Sequence, residues 1–354
     1  MNIATSIKDY STDWWSYMTK AGRFGGLDLA RAAAILMVVV WHISNYAAPF
    51  GWSGVDLFFV LSGFLIYTIF KTKNDTQSFT LSSFYKDRFL RIYPTYIAMV
   101  MVYIYLQFHH LPLIEIFKSF ITHATFTQSY IFMNVVQPYY QDTWSLVVEV
   151  AFYAIAPLIF TKFSNRIIPV CIIIAVTFAI LRFIIMAQYP ADDMNWTYFH
   201  LLRPHFRIDE LWYGVCLAYI AINFPKKIPP VLQRIALVVG LIITAIMWSY
   251  FSFVLDAPSL GRMHPTEAAI IPTLNIIGYV LIVTGIYNMR VENKLIIFIA
   301  RVAYPLYLTH HMTIAHFPNL GVSLLFTAII AIAVSYCIEY PFIRMYKQKR
   351  KVTA

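Results

Sequence analysis

Ten stretches of mostly apolar residues run along this chain, at about 27–47, 54–70, 92–108, 143–160, 167–187, 207–224, 232–254, 268–288, 294–316 and 320–340. Each is close to the roughly 20 residues that a helix needs to cross a hydrocarbon core of about 30 Å. Length alone would suggest two or three soluble domains, but runs this long do not alternate with polar residues as soluble cores do. Charge confirms the point, because only 12% of residues are Asp, Glu, Lys or Arg. Soluble domains carry about 25%, so the charge present cannot coat a water-facing surface. The expected fold is all-α, a polytopic transmembrane helical bundle. Disorder, collagen-like repeats and a disulfide-stapled scaffold are excluded on the same composition.

Orientation follows from where the basic residues fall. With the N-terminus inside, 21 of the 27 Lys and Arg lie in the segments assigned to the cytoplasm. Lys118, Arg203, Arg207 and Arg262 lie on the outer side, and Arg31 and Arg182 lie within spans. By the positive-inside rule both termini are expected in the cytoplasm. Residues 1–26 are expected to form an interfacial segment marked by Trp14 and Trp15, residues 27–341 the membrane domain, and residues 342–354 a basic tail. The first segment lacks the short apolar core and small-residue cleavage site of a signal peptide.

The formal charge of +10 does not point to nucleic acid, because no block of like charges sits beside base-stacking aromatics. Membrane lipids are the expected surroundings. Cys171, Cys216 and Cys337 form neither CxxC nor zinc spacing and read as buried packing residues. Two long outer connections, about 109–142 and 188–206, are rich in Tyr, His, Gln, Asn and Trp, a mixture that suits carbohydrate or a membrane interface. The second contains the sequon Asn195-Trp196-Thr197.

Ionisable groups inside a span are costly and therefore functional candidates. Arg31 and His42 are eleven residues apart, almost three helical turns, so Asp28, Arg31 and His42 share a face. His42 lies about 7–8 Å below the outer end of its span at 1.5 Å per residue. Glu149, His310, Arg182 and Asp56 are expected at a similar depth, gathering five titratable groups in one layer. A histidine with a carboxylate neighbour is how a general base is built near neutral pH. At the inner surface, Lys86-Asp87-Arg88-Phe89-Leu90-Arg91 places Arg88 and Arg91 at i, i+3, so they project together. Planar guanidinium forks suit phosphate oxygens, although ordinary positive-inside charge or anionic lipid would use the same residues.

Six motifs occur in order: Arg31 with His42; Gly54-Val55-Asp56-Leu57-Phe58-Phe59-Val60-Leu61-Ser62-Gly63-Phe64-Leu65; Arg88-x-x-Arg91 before Tyr93-Pro94; Trp144-Ser145-Leu146 with Glu149 and Phe152-Tyr153; Tyr304-Pro305-Leu306-Tyr307-Leu308-x-His310; and Glu339-Tyr340-Pro341. In this the chain resembles the acyltransferase 3 family of integral membrane acyltransferases, from Leu27 to Arg344. The resemblance implies that His42 is the family's essential histidine, that Arg88 and Arg91 hold an acyl donor, usually acetyl-coenzyme A, and that Glu149 is the family's glutamate. Ala303 stands where many relatives have serine, so no serine can act there. The chain ends at Ala354, and no esterase-like domain of the kind fused to some members is expected.

The expected activity is therefore O-acyl, specifically O-acetyl, transfer from cytoplasmic acyl-CoA to a hydroxyl of a cell-surface glycan such as lipopolysaccharide O-antigen or exopolysaccharide. His42, oriented by Glu149 or Asp56, would take the hydroxyl proton or carry the acyl group as an acyl-histidine intermediate, with Tyr307, His310 or Arg182 at the oxyanion. Arg88, Arg91, Arg31 and Lys86 would bind the donor across about 20–25 Å of a 30 Å core, and no metal is expected. The rival reading is a polysaccharide or lipid-linked glycan exporter. Ten spans and aromatic loops would serve it, but it needs no thioester donor, and the internal repeats common in transporters are not evident.

Overall fold

The computed structural model describes residues 3–44, 48–107, 111–130, 140–188, 203–253, 265–317 and 319–345. The sequon, Arg262, residues 346–354 of the basic tail and much of the two long connections lie outside them. The described residues form twelve α-helices and no strand. In chain order they are α1 (Ile3–Thr19), α2 (Gly25–Ile43), α3 (Gly54–Asp75), α4 (Leu81–Gln107), α5 (Leu113–Ala124), α6 (Trp144–Lys162), α7 (Ile167–Ala187), α8 (Pro204–Asn223), α9 (Pro230–Phe253), α10 (Pro265–Ile286), α11 (Lys294–His316) and α12 (Leu320–Val334). A π-turn over Ser335–Glu339 continues α12.

Every apolar run read from the sequence falls on a helix. Eight helices are long and apolar enough to cross a membrane by length and composition. Two of the ten expected spans do not meet that standard. The first two turns of α8 hold Arg207, Asp209 and Glu210, and the apolar part of α10 is the shorter stretch Ile270–Ile286.

The surface is apolar and part of the interior is charged, as hydrocarbon demands. Ile173, Val176 and Ile180 of α7 and Val238, Leu241 and Ile246 of α9 are exposed. Meanwhile Arg182, Asp209, Asp56, Glu210 and Arg207 are buried. Without water to solvate them, such groups must satisfy each other. Arg182 donates two hydrogen bonds to Asp209, at 2.9 and 2.6 Å, and another to Thr273 at 3.1 Å. Arg207 pairs with Asp56 and, through Nε at 2.6 Å, with Glu210. Asn275 donates to the other Asp56 oxygen. These contacts tie α3, α7, α8 and α10 together.

Glycine permits a close crossing of α3 and α8. A Cβ on Gly63 of α3 would lie 1.8 Å from the Leu211 carbonyl oxygen, and one on Gly214 of α8 would lie 2.0 Å from that of Val60. Only hydrogen fits at either position, so α3 and α8 meet backbone to backbone. The expected interfacial segment is the helix α1. Trp14 packs edge-on against Phe298 and Tyr336 at 6.0 and 5.3 Å, while Trp15 stays exposed. Among the cysteines only Cys171 is fully buried; Cys337 is exposed, which corrects its reading as a buried packing residue.

Candidate active site

α2, α4 and α11 each carry arginine toward one end of the bundle, and α2 and α11 carry histidine toward the other. At the arginine end Arg23, Arg31, Arg88, Arg91 and Arg301 line a cavity of about 460 Å³. Its deeper wall includes Val55, Phe58, Ser62, Glu149, Tyr153, Ala303, Tyr304 and Tyr307. The spacing of Arg88 and Arg91 does what it predicts, bringing both guanidiniums to one cavity. Arg31 joins them and is paired with Asp28 at 3.2 Å. Arg91 is held by Tyr17 Oη at 2.7 Å and Glu339 at 3.3 Å. The π-turn brings Glu339 to it, which gives the closing Glu339-Tyr340-Pro341 motif a place. Lys86 is exposed on α4 and does not line the cavity, so it does not join the expected clamp.

The cavity stops at Ser145 and Tyr307. Ser145 Oγ lies 2.7 Å from Tyr307 Oη, and Tyr307 donates to the backbone carbonyl of Asp142 at 2.5 Å. Beyond this hydrogen-bonded layer is the histidine cluster. His310 Nε2 is 3.2 Å from His42 Nδ1, and Asp142 Oδ1 is 3.8 Å from His42 Nε2. His311 Nδ1 lies 3.5 Å from the other Asp142 oxygen.

The network assigns the tautomers. His310 Nδ1 is 2.8 Å from the Tyr307 carbonyl, which can only accept, so Nδ1 carries the proton and Nε2 a lone pair. That lone pair takes the His42 Nδ1 proton, which also faces the Val38 carbonyl at 2.9 Å. His42 Nε2 is left with its lone pair on the side that faces the Asp142 carboxylate. This is the arrangement of a general base whose protonated form is matched by a counter-charge.

Asp142 is positioned from outside the spans. His123, buried on the inner face of α5, has Nδ1 2.7 Å from the Ser119 carbonyl and accepts the Tyr140 backbone N–H at Nε2, 3.2 Å away. Burial pushes its imidazole down to about 4, keeping that nitrogen free to accept. Tyr140 in turn accepts from the Thr143 hydroxyl at 2.6 Å, closing the short turn that carries Asp142.

The expected layer of five titratable groups therefore divides. His42 and His310 meet, and Tyr307 stands beside them. Glu149 lines the cavity instead, accepting from Ser62 at 2.6 Å and from Tyr153. Asp56 and Arg182 belong to the buried ion pairs among α3, α7, α8 and α10. The carboxylate facing His42 is Asp142, not Glu149 or Asp56, because equal depth does not put residues on one face. Asp142 and His311 went unread, although they adjoin Trp144-Ser145-Leu146 and His310. One ligand atom each from His42, Asp142 and His310 lies within 4.8 Å of the others, the spacing of a possible cation cage.

A helical bundle with an apolar exterior, a charged cavity at one end and a histidine–aspartate cluster beyond it defines a class, the integral membrane proteins with a buried polar site. The sequence comparison specifies it. A family model described as an acyltransferase domain matches residues 24–343, and the chain belongs to that family. It is similar to the O-acetyltransferase OatA of Staphylococcus aureus, 26% identical over 304 residues, which cover 81% of this chain and 50% of the relative. It is 30% identical over 227 residues to the peptidoglycan O-acetyltransferase OatA of Listeria monocytogenes, covering 59% of this chain and 35% of that protein. The chain thus spans half or less of the length of these relatives. No solved structure matches it.

Proposed function

We propose that this acyltransferase moves an acyl group, specifically acetyl, from acyl-CoA at the arginine end to a hydroxyl of a cell-surface glycan at the histidine end. The observation that carries the reading is the continuity between the two. A cavity ringed by guanidiniums ends at the Tyr307–Ser145 pair, and Tyr307 is hydrogen-bonded to the same Asp142 that faces His42. Along α2, Arg31 and His42 are eleven residues apart, about 16 Å at 1.5 Å per residue. An extended pantetheine arm exceeds that length, so the thioester reaches the histidine layer once Tyr307 yields.

In the proposed step, His42 Nε2 removes the proton of the acceptor hydroxyl as its oxygen attacks the thioester carbonyl. The new C–O bond forms as the C–S bond breaks, and the leaving thiolate takes the proton from His42. Asp142 balances the transient imidazolium, and the Tyr307 hydroxyl is placed to donate to the oxyanion. Glu149 lies along the donor path, not beside the base. The arginine end is cytoplasmic in this reading, with ten spans and both termini inside, residues 27–341 as the membrane domain and the bacterial cytoplasmic membrane as its site. The names of the relatives support acetyl as the acyl group and add peptidoglycan to lipopolysaccharide O-antigen and exopolysaccharide as acceptors.

The test uses purified protein, acetyl-CoA labelled in the acetyl group, and glycan acceptors of these three kinds. Label is expected on one glycan with wild type and on none with His42→Ala. Arg88→Gln with Arg91→Gln is expected to raise the donor KM far more than it lowers kcat. An exporter would leave all acceptors unlabelled.

A further inference from the structure

The Arg88–Arg91 clamp does not account for all the charge around the cavity. Of its five guanidiniums, Arg31 is neutralised by Asp28 and Arg91 by Glu339. No carboxylate of the described residues pairs with Arg23, Arg88 or Arg301. Arg301, half-buried on α11, donates only to a neutral group, the Lys20 carbonyl at 3.1 Å. Its guanidinium also lies 5.5 Å from the centre of the Tyr17 ring, over the face. The hydroxyl of that same tyrosine receives Arg91. Tyr17 therefore touches both arginines, Arg91 through its hydroxyl and Arg301 through its ring face. Arg23 lies at the exposed mouth, 5.2 Å from the Phe24 ring.

We infer that Arg301, with Arg23 at the mouth, forms a second anion subsite, for a phosphate that the Arg88–Arg91 pair does not reach. The inference rests on the acyl-CoA reading and names the group involved. Coenzyme A carries two separate anionic groups, a diphosphate and a ribose 3′-phosphate, and the Arg301 subsite takes the 3′-phosphate. Helix α11 gives the subsite its connection to the chemistry. Arg301 is six residues from Tyr307 and nine from His310, about 9 and 14 Å along the axis. One helix thus carries a phosphate contact, the cavity wall and the histidine partner, so seating the 3′-phosphate sets the depth at which the arm enters.

The experiment measures equilibrium binding of coenzyme A and of 3′-dephospho-coenzyme A to the purified protein in zwitterionic nanodiscs. Wild type is expected to bind coenzyme A about tenfold or more tightly than the dephospho form, the usual worth of a charge-assisted phosphate contact. Arg301→Gln is expected to erase that preference by weakening coenzyme A alone, and Arg301→Lys to restore part of it. Arg88→Gln should weaken both ligands together. Equal affinity of wild type for the two ligands overturns the inference, as does an Arg301→Gln variant that weakens both alike. The wild-type comparison decides even where a variant does not fold. If coenzyme A binds without discrimination, only the subsite fails; if neither ligand binds, the donor reading fails with it.

Discussion

Replacing Asp142 by asparagine keeps the size of the side chain and removes its charge. His42 Nε2 lies 3.8 Å from Asp142 Oδ1, and a proton arriving there creates an ion pair at that distance. Coulomb's law gives this pair about 4 kcal/mol at an effective dielectric constant of 20 and about 1 kcal/mol in bulk water. With His42 only slightly exposed, the loss should fall between these limits, a fall in kcat of roughly tenfold to a thousandfold. Donor binding should barely change, because Asp142 does not line the arginine cavity. Steady-state acetyl transfer by the Asn variant, with donor KM measured in parallel, reads both quantities. His311→Ala serves as a milder control, since it removes a neighbour 3.5 Å from Asp142 and leaves the carboxylate charge beside His42. Wild-type kcat in the Asp142→Asn variant refutes the counter-charge argument. So does a loss confined to donor KM.

Asp56 should behave in the opposite way. Asp56→Ala leaves Arg207 with Glu210 as its remaining carboxylate, so stability should fall by about 3 kcal/mol, the lower end for a broken buried pair, while turnover per folded molecule persists. Thermal unfolding and active-site-normalised kcat check this, and loss of kcat in a fully stable variant contradicts it. His123 gives a pH signature. Its folded value of about 4 lies below the ordinary 6.5, so the unfolded chain binds the extra proton between them and stability falls as pH drops through that window. The change is about 3 kcal/mol, present in full above pH 6.5. Melting curves from pH 7 to 4 should show it in wild type and lack most of it in His123→Gln, and identical pH dependence in both contradicts it.

The sequence made the bundle legible because hydrocarbon permits few solutions, and every apolar run became a helix. Arg88 and Arg91 were legible for a similar reason, since i, i+3 spacing settles which residues of one helix project together. His42 and His310 could be assigned a depth, but depth along an axis says nothing about rotation around it. Asp56 and Glu149 were accordingly expected beside His42, whereas the fold gives Asp56 to Arg207 and Glu149 to the arginine cavity. Asp142 was hidden for another reason. It sits on a three-residue turn, Gln141–Thr143, before its helix begins, held there by His123 from a helix that precedes it in the chain. Arg301 read as one more cytoplasmic charge until the fold put it in the cavity wall, over the ring of the tyrosine that receives Arg91.

Sidedness tests the central claim most directly. Protein is reconstituted in one orientation into sealed vesicles, with acetyl-CoA confined to the face carrying Arg88 and Arg91 and the glycan acceptor to the face nearer His42. The account expects acetylated glycan in this arrangement, none when donor and acceptor are exchanged, and none with His42→Ala. Transfer from donor supplied only at the histidine face, or undiminished transfer by His42→Ala, contradicts it.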